Sequence, residues 1–296
     1  MIRYKGSAMS ERDAERATLL VSCPDRRGIV AALAQVLYGH GANIFDSDQH
    51  TDALAAQFFQ RLHFDLTDLQ TDRKTLERTI AEVAKRFGMR YELRYQARQK
   101  RVTLFVSRYD HCLYDLLLRH RSGELRCELP LIVSNHPDLG RVAEQFGIDF
   151  QQIPVNAETK PQAEEAQLAL LHERGIDLVV LARYMQILSE SFVTSFRGKI
   201  INIHHSFLPA FVGGKPYHQA YQRGVKLIGA TAHYASAVLD EGPIIEQDVV
   251  RCSHRDSIDD LVRKGRDLEK VVLARAVRLH LEDRVLEYGN KTVVFE

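Results

Sequence analysis

The chain has 296 residues, enough for two ordinary domains or one large one, and its 45% hydrophobic and 27% charged content is that of a globular protein, not a disordered one. Lys and Arg number 40 against 39 Asp and Glu, a formal charge of +1, so no basic excess draws the chain to nucleic acid. Cys23, Cys112, Cys127 and Cys252 stand apart with no C-x-x-C pair, which disfavours a disulfide framework or zinc knuckle and fits free thiols in the cytoplasm.

Residues 1–16 are charged and lack an apolar core, so they are expected as a flexible lead and not a signal peptide. No later run reaches the roughly 18 apolar residues of a membrane span, and no membrane partner is expected. TLLVSC (18–23) predicts a buried strand. The turn PDRRG leads into IVAALAQVLYGHG, whose Ile29, Leu33, Val36 and Leu37 fall at helical spacing before Gly39 and Gly41. Residues 42–52 predict a second strand, and 55–66 a third by alternation. Residues 71–88 predict an amphipathic helix on Leu76, Ile80, Val83 and Phe87, and 89–96 a fourth strand. The order β-α-β-β-α-β is a ferredoxin-like split unit over 17–96. His40, His50 and His63 have no metal-ligand spacing and are expected as surface or hydrogen-bonded residues.

ARQKR (97–101) is the expected boundary, and a second domain runs over 101–296. Apolar strands are predicted at 101–107, 128–135, 148–155, 176–184 and 199–205. Helices are predicted between the first four, at 111–123, 136–147 (with Pro137 near its first turn) and 159–175. Continuous apolar strands alternating with helices imply a mostly parallel, Rossmann-like sheet covered on both faces, with ligands beyond the strands' carboxyl ends. Residues 226–236 and 243–252 predict two further, antiparallel strands, 257–283 a long helix and 285–295 a hairpin.

The usual phosphate loops are missing, because the first strand of this domain is followed by SRYDHC. H-E-x-x-H and G-x-S-x-G are also absent, so neither a metal nor a serine nucleophile is expected. KIINIHHSFLPAF (199–211) and HYASAVLDEGPIIEQD (233–248) each join an apolar strand to polar residues expected in loops: Asn202 and His204 from the first, Asp240 from the second. An amide, an imidazole and a carboxylate can stabilise an oxyanion and steer a water. On spacing alone, Asn-x-His is more often a turn-stabilising pair than a catalytic one, and Asp240 reads as an Asx-turn residue. His204 and His205 are neighbours near a strand end, so their side chains are expected to diverge.

The stretch INIHHSFLPAF–GGKPYHQAYQRGVKLIGATAHYASAVLDEGPIIEQ resembles the formyl-transferring family that uses 10-formyltetrahydrofolate. CPDRRGIVAALAQVLYGHGANIFDSDQHTD resembles an ACT domain, although Arg27 stands where that motif often has Pro. Together they are similar to the formyltetrahydrofolate deformylase branch, which hydrolyses its carrier to formate and tetrahydrofolate, supplies formate for purine synthesis and balances the one-carbon pool. The resemblance implies that Asn202, His204 and Asp240 are catalytic. It also implies that Arg183, Tyr184, Met185, Gln186, Ile187 and Leu188, with Ala235, Ser236, Ala237, Val238 and Leu239, hold the folate. His233, Tyr234, His218 and Lys215 are candidates for shaping the site. An amino-acid effector, with methionine and glycine as opposing signals, would meet Asp25, Gly28, Asn43 and Ile44. No cofactor is expected, since the folate is the substrate. A homo-oligomer is expected, a tetramer among the arrangements. The alternatives are transfer of the formyl group to glycinamide ribonucleotide, against which the bulky SRYDHC speaks, and an inert folate-binding sensor.

Overall fold

A computed structural model describes residues 15–210 and 216–296. Lys215 and most of the expected N-terminal lead lie outside them. β1 begins at Arg16, inside that expected lead. The described residues form two compact units.

The first unit runs to Gln99 and includes Asp283–Leu286 and Val293–Glu296. Its elements are β1 (Arg16–Pro24), α1 (Ile29–Gly39), β2 (Asn43–Asp52), β3 (Gln57–Asp65), α2 (Arg73–Phe87) and β4 (Arg90–Tyr95). The strands form an antiparallel sheet in the order β2-β3-β1-β4. Alternation explains its core. Leu19, Val21 and Cys23 of β1 and Phe58, Leu62 and Phe64 of β3 pack with Leu33, Leu37, Leu76 and Ile80 of the helices. Asp72 caps α2 by accepting from the Thr75 amide at 2.7 Å. The buried Arg61 donates from Nε to the Asp283 carbonyl at 3.0 Å and pairs with Asp46 at 2.7 Å, which ties residue 283 to this unit. The three histidines of this unit do structural work. His40 bonds Thr71 and Thr79, His63 bonds Thr18, and His50 stacks on Phe59.

The second unit comprises Lys100–Glu282 and Glu287–Thr292. It contains β5 (Arg101–Val106), α3 (His111–Ser122), β6 (Glu128–Ser134), α4 (Gly140–Phe146), β7 (Asp149–Gln152), α5 (Lys160–Glu173), β8 (Leu178–Leu181), α6 (Glu190–Ser195), β9 (Ile200–His204), α7 (Pro216–Arg223), β10 (Leu227–Tyr234), β11 (Ile244–Arg251) and α8 (Ile258–Leu281). The strands lie in the order β11-β10-β9-β8-β5-β6-β7. The five from β9 to β7 are parallel, and β10 pairs antiparallel with both β9 and β11. The chain winds from β5 through β6 to β7, then returns to β8 on the other side of β5. The β5–β8 seam is therefore a topological switch point, where loops part and leave a crevice. β12 (Val285–Tyr288) and β13 (Lys291–Val294) pair as the expected hairpin.

Two local expectations fail. The helix expected from residue 136 opens only at Gly140, because Pro137 starts a turn closed by the Gly140 amide on its carbonyl at 3.0 Å. α6 was not foreseen. It is too short to show a period, and it is held by Ser189, whose hydroxyl accepts from the Phe192 amide at 3.2 Å. Among the described residues, no helix is long and apolar enough to cross a membrane.

Candidate active site

Asn202 and His204 lie within β9, as the strand expected over 199–205 places them, and not in the loop beyond it. Two residues apart on an extended strand, they share a face. β10 runs antiparallel beside them and sets His233 opposite Asn202 and Thr231 opposite His204. The β10–β11 register shifts between Ala232 and His233, a bulge of the kind that re-aims side chains beside active sites. His233 Nδ1 lies 2.9 Å from the Tyr234 carbonyl, which only accepts, so Nδ1 carries the proton. Burial lowers the His233 pKa, and the neutral ring keeps a bare Nε2. Asn202 Nδ2 sits 3.2 Å from that nitrogen and donates to it. The pairing fixes which end of the amide faces His233 and leaves its second N–H for a ligand.

Residues 235–243 join β10 to β11 and fold back to set Asp240 Oδ1 3.1 Å from His204 Nδ1 and 3.8 Å from His233 Nε2. The His204 and Asp240 side chains are only 6% and 7% exposed. Burial pushes the Asp240 carboxyl up. The hydrogen bond and charge of His204, with His233 and His205, outweigh that and hold it below the usual carboxylate range. On the other side of the ring, His204 Nε2 lies 2.8 Å from Ser206 Oγ, and Ser206 donates its one proton to the Ala210 carbonyl at 2.7 Å. The serine therefore offers Nε2 a lone pair, and both ring nitrogens of His204 face acceptors. His205 does not diverge as expected. The strand ends at His204, and the two rings stack with centroids 5.2 Å apart. Burial, then Arg183, lowers the His205 pKa to about 4, so this ring is neutral.

Asp240 has φ 59 and Arg183 φ 64, left-handed values that cost a non-glycine residue about 1–3 kcal/mol and gather at functional sites. The fold-back also needs Gly242. A Cβ there would come within 1.7 Å of the Tyr234 carbonyl oxygen and 3.1 Å of His233 Nδ1. Backbone cannot yield as a side chain can. Gly242→Ala is expected to destabilise the unit by about 1–3 kcal/mol or more and to lower kcat, because relief moves Asp240 off His204. Thermal unfolding together with kcat checks this, and a variant matching wild type in both would contradict it.

At the switch point, Ser107 follows β5 and Arg183 follows β8. Ser107 Oγ donates to Asn135 Oδ1 at 2.6 Å and accepts from the Met185 amide at 3.0 Å, which pins segment 183–188. Within that segment Tyr184 turns into the core, edge-on to Phe105 and bonded to Gln167, and Leu188 packs beside it. Met185 and Ile187 are exposed, as are Ala237, Val238 and Leu239 in segment 235–239. Gln186 and Ser236 are half-buried, and Ala235 packs on the core. Both loops thus offer apolar side chains that a flat heterocycle can cover. Of the shaping candidates, His233 joins the site. Tyr234 is a core residue bonded to His280 at 2.7 Å, and His218 is exposed on α7.

Sequence reasoning placed Ser107 and Asn135 at ligand-facing strand ends without giving them a role, and it missed Ser206 and a buried cluster around Glu269. Glu269 takes the Tyr217 hydroxyl at 2.7 Å and His111 Nε2 at 2.8 Å, with Arg183 Nε 3.5 Å away. His111, Cys112 and Glu269 could together ligate a metal. The nearby Arg183 charge opposes a cation, and burial pushes the Cys112 thiol well up, away from the thiolate a metal takes.

The effector candidates separate in one chain. Asp25 and Gly28 follow Pro24, which pairs with Gln57 at one end of β3. Asn43 pairs with Asp65 at the other end, and Ile44 lies beside it. Eight residue steps of strand span about 26 Å, so one small amino acid does not bridge the two sets within a chain.

A formyl transferase family model matches residues 100–277 and an ACT domain model residues 17–87. The formyltetrahydrofolate deformylase of Synechocystis sp. is 58% identical over 94% of this chain and 98% of its own length. The crystal structure of a formyltetrahydrofolate deformylase from Pseudomonas syringae pv. tomato superposes with a TM-score of 0.92 at 48% identity, covering 95% of this chain and 94% of that one. A glycinamide ribonucleotide transformylase structure from Symbiobacterium toebii matches with a TM-score of 0.63 at 31% identity over 69% of this chain and 98% of its own.

Proposed function

The chain belongs to the formyltetrahydrofolate deformylase family and is a hydrolase of that carrier, and we propose that Asn202, His204 and Asp240 carry out the hydrolysis. The observation that carries this reading is the 3.1 Å contact of Asp240 with His204 on the strand face that also bears Asn202. The folate of 10-formyltetrahydrofolate lies against segments 183–188 and 235–240. Water held by Asp240 attacks the formyl carbon, a C–O bond forms, and the carbonyl oxygen takes up negative charge. The second N–H of Asn202 and the Nε2–H of His204 stabilise that oxyanion. For this, Nε2–H exchanges Ser206 for the substrate oxygen. Asp240 takes the water's proton, His204 protonates N10, and the C–N10 bond breaks to give tetrahydrofolate and formic acid, which loses its proton to solvent as formate. Proton exchange with solvent restores the pair.

The test follows 10-formyltetrahydrofolate with no amine present. Formate and tetrahydrofolate are expected in equal amounts, and adding glycinamide ribonucleotide should change neither. Formate that appears only with the amine would overturn the reading. We assign the first unit to regulation by an amino acid and to assembly of a homo-oligomer. The four cysteines, all buried and unpaired, support a cytoplasmic enzyme.

A further inference from the structure

The Glu269 cluster stands next to the site, and its Glu269, His111 and Tyr217 are unused by the steps above. His205 links the two. Its ring centroid lies 5.2 Å from that of His204 and 6.1 Å from that of Tyr217. Behind Tyr217, four separate elements converge: α7 brings Tyr217, α8 Glu269, α3 His111, and the turn after β8 Arg183. The side chains of His111, Arg183 and Glu269 are at most 11% exposed, and Tyr217 is 8% exposed. Arg183 also lies over the Tyr109 ring at 4.9 Å.

The seat of Tyr217 is specific. A Cβ at Gly265 would lie 2.0 Å from the Tyr217 hydroxyl oxygen and 2.3 Å from its Cζ. Glycine in a helix interior is about 1 kcal/mol worse than alanine, and α8 accepts that loss where the ring enters. The cluster is also close to electrically balanced, with the Glu269 carboxylate against Arg183 and the His111 and Tyr217 donors. It offers neither a free carboxylate for an ammonium group nor an open cation for a phosphate.

We propose that Tyr217, seated by Gly265 and held by Glu269 and His111, is a specificity-determining wall: it closes the side of the formyl site from which an amine would approach and leaves water as the acceptor. This rests on the reading of Asn202, His204 and Asp240 as the reacting centre. Hydrolysis and transfer share one carrier and one broken bond, C–N10. They differ in the new bond, C–O from water or C–N from an amine that then loses a proton. Water needs only a site of its own size. An amine needs continuous room for its carbon substituent, and here that room is filled. A related fold serves a glycinamide ribonucleotide transformylase, so the fold itself does not dictate water.

The test supplies 10-formyltetrahydrofolate with glycinamide as probe and measures the ratio of formylglycinamide to formate after subtracting the uncatalysed reaction. Wild type should give formate alone. Tyr217→Ala should raise the ratio at least about tenfold, the scale on which pocket shape discriminates small substrates. Tyr217→Phe, which keeps the ring, should stay at the wild-type ratio. Gly265→Ala displaces the ring without altering it and should raise the ratio too. It decides the matter if Tyr217→Ala does not fold. A general loss of activity leaves a ratio unmoved, so an unchanged ratio in Tyr217→Ala or Gly265→Ala that still consumes the carrier overturns the proposal. Wild type that releases no formate without an amine overturns instead the hydrolase reading on which it rests.

Discussion

His204→Ala is expected to slow formate release by about two to four powers of ten, the contribution of a positioned acid–base group, with little change in KM. The asymmetry follows from where the ring sits. The folate is assigned to two other segments, so ground-state binding does not depend on the imidazole. His204 stands between Asp240 at 3.1 Å and Ser206 at 2.8 Å and is the group that can deliver a proton to N10. Removing it also leaves the Asp240 carboxylate, 7% exposed, without its nearest partner, His233 being more distant at 3.8 Å. Single-turnover measurement of formate separates the chemical step from release. Asn202→Ala should add little to the loss in the double variant, because groups that act as a unit are not additive. Unchanged turnover in His204→Ala would remove it from the mechanism.

Much of the scaffold was legible because it depends on local period. Alternation in 57–65 and the 3.6-residue spacing of Leu76, Ile80 and Phe87 define the first unit, and continuous apolar runs such as LVVL define the parallel sheet. The Asn202–His204 pair was legible for the same reason, since two residues on a strand share a face. What the sequence hid was register. His233 meets Asn202 because β10 pairs with β9 in one frame, and no local pattern announces that frame. Glu269 and Tyr217 read as ordinary helical residues, since their bond joins helices 52 positions apart. His218 drew notice by being polar, but polarity on an amphipathic helix points to solvent, and the buried neighbour Tyr217 makes the contact. The effector residues show the converse. A motif named Asp25, Gly28, Asn43 and Ile44 together, and the sheet register sets them at opposite ends.

Asp240→Asn isolates charge from shape and is expected to lower kcat by about three to four powers of ten at neutral pH, as when a buried carboxylate behind a catalytic imidazole becomes an amide. The amide oxygen can still accept from His204 Nδ1, so the ring keeps its place. It no longer stabilises the imidazolium, and it cannot take the proton of water. The pH dependence tests the cause. The folded-state pKa of Asp240 is held below the ordinary value of 3.8, so its carboxylate contributes stability that is fully present above that value. That contribution is lost as pH falls through the lower folded value. The stability gap between wild type and Asp240→Asn should therefore be widest near neutrality and close below about pH 4. His205, with a pKa lowered to about 4, and His233, lowered by burial, act in the same sense. The unfolded chain takes up their protons as pH falls below 6.5, which destabilises both proteins and starts above the range in which Asp240 titrates. Denaturant unfolding across pH measures that gap. A gap that grows in acid would contradict a depressed Asp240, and wild-type kcat in Asp240→Asn would remove the carboxylate from the reaction.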